Sequence, residues 1–253
     1  MVARAHYKVF RKRAFPTLAA LCLLATADIA SAQHSEIPSF KSVDSMEARV
    51  QGCATCHGQS GQGTSNPYFP RIAGKPAAYL YNQLVAIRDG KREYPPMNYL
   101  VAYLPDPYLR EIAEYFSKQR PAFEAKQPSE GAPATVARGS TLVVTGDPSK
   151  QLPACISCHG VGLTGMEPGI PGLVGLRASY IVAQLTRWRT GGRQAPQPDC
   201  MKRIADRLTE LDVYAVATWL AAQDPPSDHS PARANLQGMP ISCGSQKPML
   251  RTP

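Results

Sequence analysis

Wherever a pattern can be followed along the chain, apolar positions recur at helical spacing. After Pro76, a residue suited to a first helical turn, Leu80, Leu84 and Ile87 follow three or four residues apart, and Gly90 closes the run. The signature returns at Ile181, Leu185 and Trp188 and stops at Gly191 and Gly192. Later in each half, Ile112, Tyr115 and Phe116, and then Val213, Val216, Trp219 and Leu220, fall on one helical face. No competing stretch alternates apolar and polar residues as a half-buried strand would. The pattern predicts an all-α chain.

These recurrences belong to a duplication. "FPRIAGKPAAYLYNQLVAIRDGKR" (69–92) overlays "IPGLVGLRASYIVAQLTRWRTGGR" (170–193) at an offset of 101. Pro70 matches Pro171, Gly74 matches Gly175, Tyr79 matches Tyr180, Gln83 matches Gln184 and Arg92 matches Arg193. Further on, "LPDPYLREIAEYF" (104–116) overlays "LTELDVYAVATWL" (208–220) at an offset of 104. A repeated unit of this size predicts tandem domains, placed at 36–120 and 136–224. Between them, 121–135 is rich in Pro, Ala, Glu and Ser, which is linker composition. A tail, 225–253, follows the second unit.

The first 32 residues stand apart. Arg4, Lys8, Arg11, Lys12 and Arg13 precede a short apolar run, and Ala30-Ser31-Ala32 is a small-x-small site. This predicts a signal peptide cleaved near Ala32 and an exported, periplasmic product. No later stretch is long and apolar enough to span a membrane, so association with one is expected to be peripheral at most. The formal charge of +9 falls to +5 once the leader's five basic and one acidic residues are removed. So modest a charge suits docking to an acidic partner surface and carries no stripe for nucleic acid.

Six cysteines remain after processing, and four sit in two matched pentads: "CATCH" at 53–57 and "CISCH" at 155–159. Cys-x-x-Cys-His is the attachment signature of c-type haem. Two thiols one turn apart add to the two haem vinyl groups, and the adjoining histidine is held beneath the iron. The spacing therefore predicts two haem c groups, on Cys53, Cys56 and His57 and on Cys155, Cys158 and His159. Each unit is only about 85 residues with few large apolar side chains, a size at which a cofactor commonly completes the core. A zinc site would need four ligands within reach, yet Cys56 and Cys155 lie 99 residues apart. A thioredoxin-like dithiol would need a βαβ context, and plain disulfides leave the histidines unexplained.

Met97, behind Pro95 and Pro96, follows His57 by 40 residues, and Met201 follows His159 by 42. Core filling is the common role of methionine, but this shared place in the repeat predicts axial thioether ligands. Such ligation favours ferrous iron and one-electron transfer, and it leaves no open position for a substrate. Pro70 and Pro171 follow their histidines by 13 and 12 residues, so their carbonyls are candidate acceptors for the other ring N–H, unless the prolines only shape a loop. Arg92 and Arg193 either pair with haem propionates or form solvated helix ends. Cys200, beside Met201, either joins Cys243 in a disulfide or offers a thiolate to the second iron.

With these residues in place, the chain resembles the di-haem class I cytochromes c, most closely the cytochrome c4 type. The resemblance rests on "CATCHG" with Met97, "CISCHG" with Met201, and the shared P-x-[IL]-x-G … Y-x-x-x-Q-L … R-x-G-x-R run, and it covers 50–120 and 138–222. It implies two helical lobes, each around a covalently held haem, in an electron carrier rather than an enzyme. Its partners would be a quinol-oxidising complex or dehydrogenase and a terminal oxidase or reductase. Two alternatives stay open: a di-haem oxidoreductase of the thiosulfate dehydrogenase kind with Cys200 on the second iron, and the cytochrome subunit of a periplasmic dehydrogenase.

Overall fold

A computed structural model describes residues 42–128, 131–235 and 238–246. The proposed signal peptide, 1–32, lies outside them. The first lobe holds α1 (Met46–Arg49), α2 (Gln51–His57), α3 (Ala77–Arg88), α4 (Pro95–Val101) and α5 (Asp106–Lys118). The second holds α6 (Pro133–Val144), α7 (Ile156–His159), α8 (Ala178–Thr190), α9 (Cys200–Ala205) and α10 (Glu210–Ala221). The lone sheet among the described residues is a two-residue antiparallel pair, β1 (Gly165–Met166) and β2 (Ile170–Pro171). None of the described helices is long and apolar enough to cross a membrane.

Local chemistry accounts for the helix limits. Pro76 caps α3 at φ −50°, and Gly90, at φ +70°, turns the chain out of it. In α10 the Thr209 hydroxyl accepts from the Asp212 N–H while the Asp212 carboxylate accepts from the Thr209 N–H, a reciprocal cap. The same carboxylate accepts from Arg138 Nε at 2.8 Å and Lys150 Nζ at 2.6 Å. Those contacts hold its pKa well below the usual carboxylate range although burial opposes them, and they tie α6 and the turn after it to the start of α10.

Helix pairs α3–α5 and α6–α10 carry the two cores. Phe116, Ile112 and Leu80 are buried in the first; Leu142, Leu185, Val216 and Leu220 are buried in the second. At the α6–α10 crossing a Cβ on Gly139 would sit 2.2 Å from the Ala215 carbonyl oxygen and 2.8 Å from Trp219 Cβ. Helix propensity alone makes Gly139→Ala stabilising by about 1 kcal/mol. The close approach reverses the sign, and a loss of about 1–3 kcal/mol is expected. A lowered urea midpoint would show it; a raised one would mean that the helices separate freely.

Two segments are more tightly bound than their composition suggests. The stretch read as a linker is pinned to both lobes: Arg71 donates to the carbonyls of Pro121 (2.7 Å) and Ala122 (2.9 Å) and lies 3.9 Å from the Phe123 ring centroid. Gln127 donates its N–H to Ala221 O and accepts from the Ala178 N–H. Helix α6 begins at Pro133, inside that segment. The tail runs back along the second lobe, where Ala232 exchanges backbone bonds with Gly165 (2.8 Å) and Glu167 (2.9 Å). It is fastened by a disulfide between Cys200 and Cys243.

The lobes meet at a short backbone bridge between matched positions. Glu93 donates to Gly192 O at 2.9 Å, and Gln194 donates to Lys91 O at 2.8 Å, either side of the paired Arg92 and Arg193.

Candidate haem clefts

Each lobe has a cleft into which its pentad opens. Cys53, Cys56, His57 and Met97 line the first; Cys155, Cys158, His159 and Met201 line the second. The four pentad sulfurs form no disulfide. On α2, Cys53 and Cys56 are three residues apart and share a face. Gly58 and Gly160, both at φ +81°, turn the chain away immediately after each histidine, which extends the useful motif to Cys-x-x-Cys-His-Gly.

Both histidines are buried, at 8% and 7% exposure. His57 Nδ1 lies 2.8 Å from Pro70 O, and His159 Nδ1 lies 2.8 Å from Pro171 O. A carbonyl can only accept, so the proton belongs on Nδ1 and the Nε2 lone pair is left free. Burial pushes the His57 imidazole below its ordinary pKa and the His159 imidazole down to about 4. Each ring is therefore neutral at physiological pH, the form that ligates a metal. Burial likewise pushes the Cys155 thiol up to about 12 and raises Cys53 and Cys158.

The methionine loops are set differently. Pro95 and Pro96 occupy the first turn of α4, and Asn98 clamps the loop by accepting from the Tyr94 N–H at 2.7 Å and donating to Arg92 O at 3.1 Å. In the second lobe the stretch from Arg193 to Met201 is three residues longer than that from Arg92 to Met97. There Asp199, buried, caps α9 through the Lys202 N–H and accepts from the Ala195 N–H at 2.7 Å. The Cys200–Cys243 bond follows directly, and Cys243 also lines the second cleft.

The alternative of Arg92 and Arg193 as solvated helix ends is corrected. Arg193 is 4% exposed, Arg92 is half-buried, and both lie on the seam between the lobes. Arg92 donates to Gln83, Tyr180 and Gln184 at 2.9–3.0 Å; Arg193 donates to Gln184 and Gln83 at 2.9 Å and to Tyr79 at 3.2 Å. Burial raises the Tyr79 phenol, but the two guanidiniums outweigh it and hold its pKa below the ordinary value. Lys75 is also buried here; burial pushes its ammonium down to about 8, and it lines both clefts.

None of these three cations has a carboxylate partner among the described residues. Buried charge with only neutral partners is costly, so the seam between two apolar clefts suits an anion. The propionates of two haems supply carboxylates of that kind, and the donor set fits the group. Tyr79, Tyr180, Gln83 and Gln184 stood in the repeat without a role. Asn98, Asp199 and Lys75 carried no repeat signal, since the residue matched to Lys75 is Leu176.

Comparison with known proteins gives the same picture. Residues 46–116 match the family model for subunit III of cbb3-type cytochrome c oxidase. The chain is 39% identical over 171 residues to a thiosulfate dehydrogenase electron acceptor of Thiomonas intermedia, across 68% of this chain and 78% of the relative. It is 34% identical over 178 residues to cytochrome c4 of Pseudomonas aeruginosa, across 69% of this chain and 85% of the relative. Reduced cytochrome c4 from Pseudomonas stutzeri superposes with a TM-score of 0.61 at 30% identity, over 70% of this chain and 96% of that one. A thiosulfate dehydrogenase, TsdBA, from Marichromatium purpuratum gives a TM-score of 0.61 at 35% identity, over 68% of this chain but only 36% of that one. Sequence and fold agree: the chain belongs to the di-haem class I cytochrome c family, of the cytochrome c4 type, and it is an electron-transfer protein carrying two c-type haems.

Proposed function

We propose that this chain is the periplasmic electron acceptor of a thiosulfate-oxidising enzyme and passes the electrons to a terminal oxidase or reductase. The similarity to the Thiomonas acceptor over more than three quarters of that relative's length carries the reading of the donor. Haem c would supply a one-electron iron couple at each cleft. Cys53 and Cys56 would hold the first group, and Cys155 and Cys158 the second. His57 and His159 would face the irons with Nε2, their Nδ1–H held by Pro70 O and Pro171 O. Met97 and Met201, which line the same clefts, would supply a thioether sulfur to each iron. Arg92, Arg193 and Lys75 would meet the propionates at the seam, where shared lining by Tyr79, Gln83, Tyr180 and Gln184 makes the clefts neighbours.

The carrier reading also draws support from Cys200. Its sulfur is joined to Cys243, so it offers no thiolate to the second iron of an enzyme. The test mixes the oxidised holoprotein with thiosulfate, with and without a purified thiosulfate dehydrogenase, and follows haem absorbance. Reduction of both haems only when the dehydrogenase is present is expected. Reduction by thiosulfate alone would support the enzyme instead. Reduction by ascorbate but not by the dehydrogenase would move the donor elsewhere.

A further inference from the structure

The two haem sites of a duplicated chain start from the same plan, so any difference between them must come from residues the duplication did not keep. The charged residues that line the clefts without a matched charge are Arg71, which faces Gly172 in the repeat, Lys75, which faces Leu176, Glu93, which faces Gln194, Arg187, which faces Ala86, and Asp199, in the loop that is longer in the second lobe. Their surroundings differ. Arg71 turns toward the linker, bonded to the Pro121 and Ala122 carbonyls and stacked on Phe123. Lys75 leaves its own lobe and donates to Gly172 O of the second lobe at 2.8 Å. The preceding carbonyl, Pro171 O, is the one that holds His159 Nδ1. The matched Leu176 is buried and lines the second cleft alone, and it brings the first site no charge in return.

We infer that Lys75 raises the potential of the second haem relative to the first and so favours movement of the electron toward the second lobe. The inference rests on the axial ligands proposed for the two irons. Arg92 and Arg193 are matched, hold the same partners in exchange and act on the two sites alike, so their effects largely cancel in the difference. Lys75 has no counterpart. A buried cation lowers the energy of whichever neighbouring centre gains negative charge, and low-dielectric surroundings strengthen that effect. It lies one peptide from the acceptor of the second histidine, so the second centre feels it more, and a reduced second site is favoured. The same hydrogen bond holds the β2 loop so that Pro171 O stays aligned with His159, which makes Lys75 a positioning residue for the second site.

The test is a potentiometric titration of the holoprotein with each haem followed by its own paramagnetically shifted methyl signals. Lys75→Met and Lys75→Gln are compared with the parent. Both variants are expected to keep two haems per chain and both near-infrared methionine–iron bands. Both should lower the second site's potential more than the first's. The equilibrium constant for moving an electron from first to second site should fall about tenfold or more, which is about 59 mV for a one-electron couple. The amide of the Lys75→Gln variant can still donate to Gly172 O but carries no charge, so a parent-like separation in that variant would overturn the charge-based inference. So would an unchanged separation in both variants, or a larger fall at the first site. A parent protein lacking either methionine band would instead overturn the ligand assignment, independently of Lys75.

Discussion

Replacing Cys155 and Cys158 together by serine is expected to remove the second haem and to halve the electrons the chain can hold. The second cleft opens onto Leu142, Leu185, Trp188, Val216 and Leu220, the residues that form that lobe's core. A haem held there is the central body of the lobe, and a domain of this size has little apolar surface to replace it with. Haem absorbance per chain should fall by about half, and the reductive titration should show one one-electron step. The effect should reach across the seam as well. Lys75 and Arg193 would lose the anions proposed to sit beside them, leaving buried charge uncompensated. Thermal unfolding of the remaining haem lobe should therefore begin at lower temperature than in the parent. Two haems retained per chain, by mass and absorbance, would contradict the attachment through these sulfurs.

The second large effect concerns Met97. It lines the first cleft with His57, on a short helix stiffened by Pro95 and Pro96 and clamped by Asn98. A thioether stabilises ferrous iron more than an imidazole does. Met97→His should therefore lower the first site's potential by tenths of a volt, a sizeable part of the range of about 0.8 V that axial ligands span. One of the two near-infrared methionine–iron bands should disappear while the other, from Met201, persists. The variant should then hold its first electron only under strongly reducing conditions, and delivery from a donor of moderate potential should stop after one equivalent. Loss of the other band, or of neither, would displace Met97 from the iron.

How much of this could be read from the sequence varied with the range of the interaction. Helices α3, α5, α8 and α10 were legible because each carries its own apolar face and its own caps. The pentads were legible because haem attachment needs three residues within five positions. The carbonyls of Pro70 and Pro171 were within reach because the repeat fixed their distance from the histidines. Polar and irregular stretches disclosed less. The 121–135 segment has the composition of a free tether, yet Arg71, Gln127 and Arg177 hold it to both lobes. The tail likewise has nothing in its composition to show that it would lie along Gly165 and Glu167.

The sequence by itself determined the chemistry: two haem pentads, two spaced methionines, a helical unit used twice. These depend on side-chain type and short separations, which a linear chain displays directly. Tertiary structure alone decided what surrounds the charges. Arg92 meets Tyr180 across 88 positions, Arg193 meets Tyr79 across 114, and Lys75 meets Gly172 across 97. Whether a cation is solvated or buried, and which iron it favours, depends on which distant groups fold against it. No local pattern encodes that neighbourhood, so the seam, and the asymmetry that Lys75 brings to it, emerges only when the two lobes close on each other.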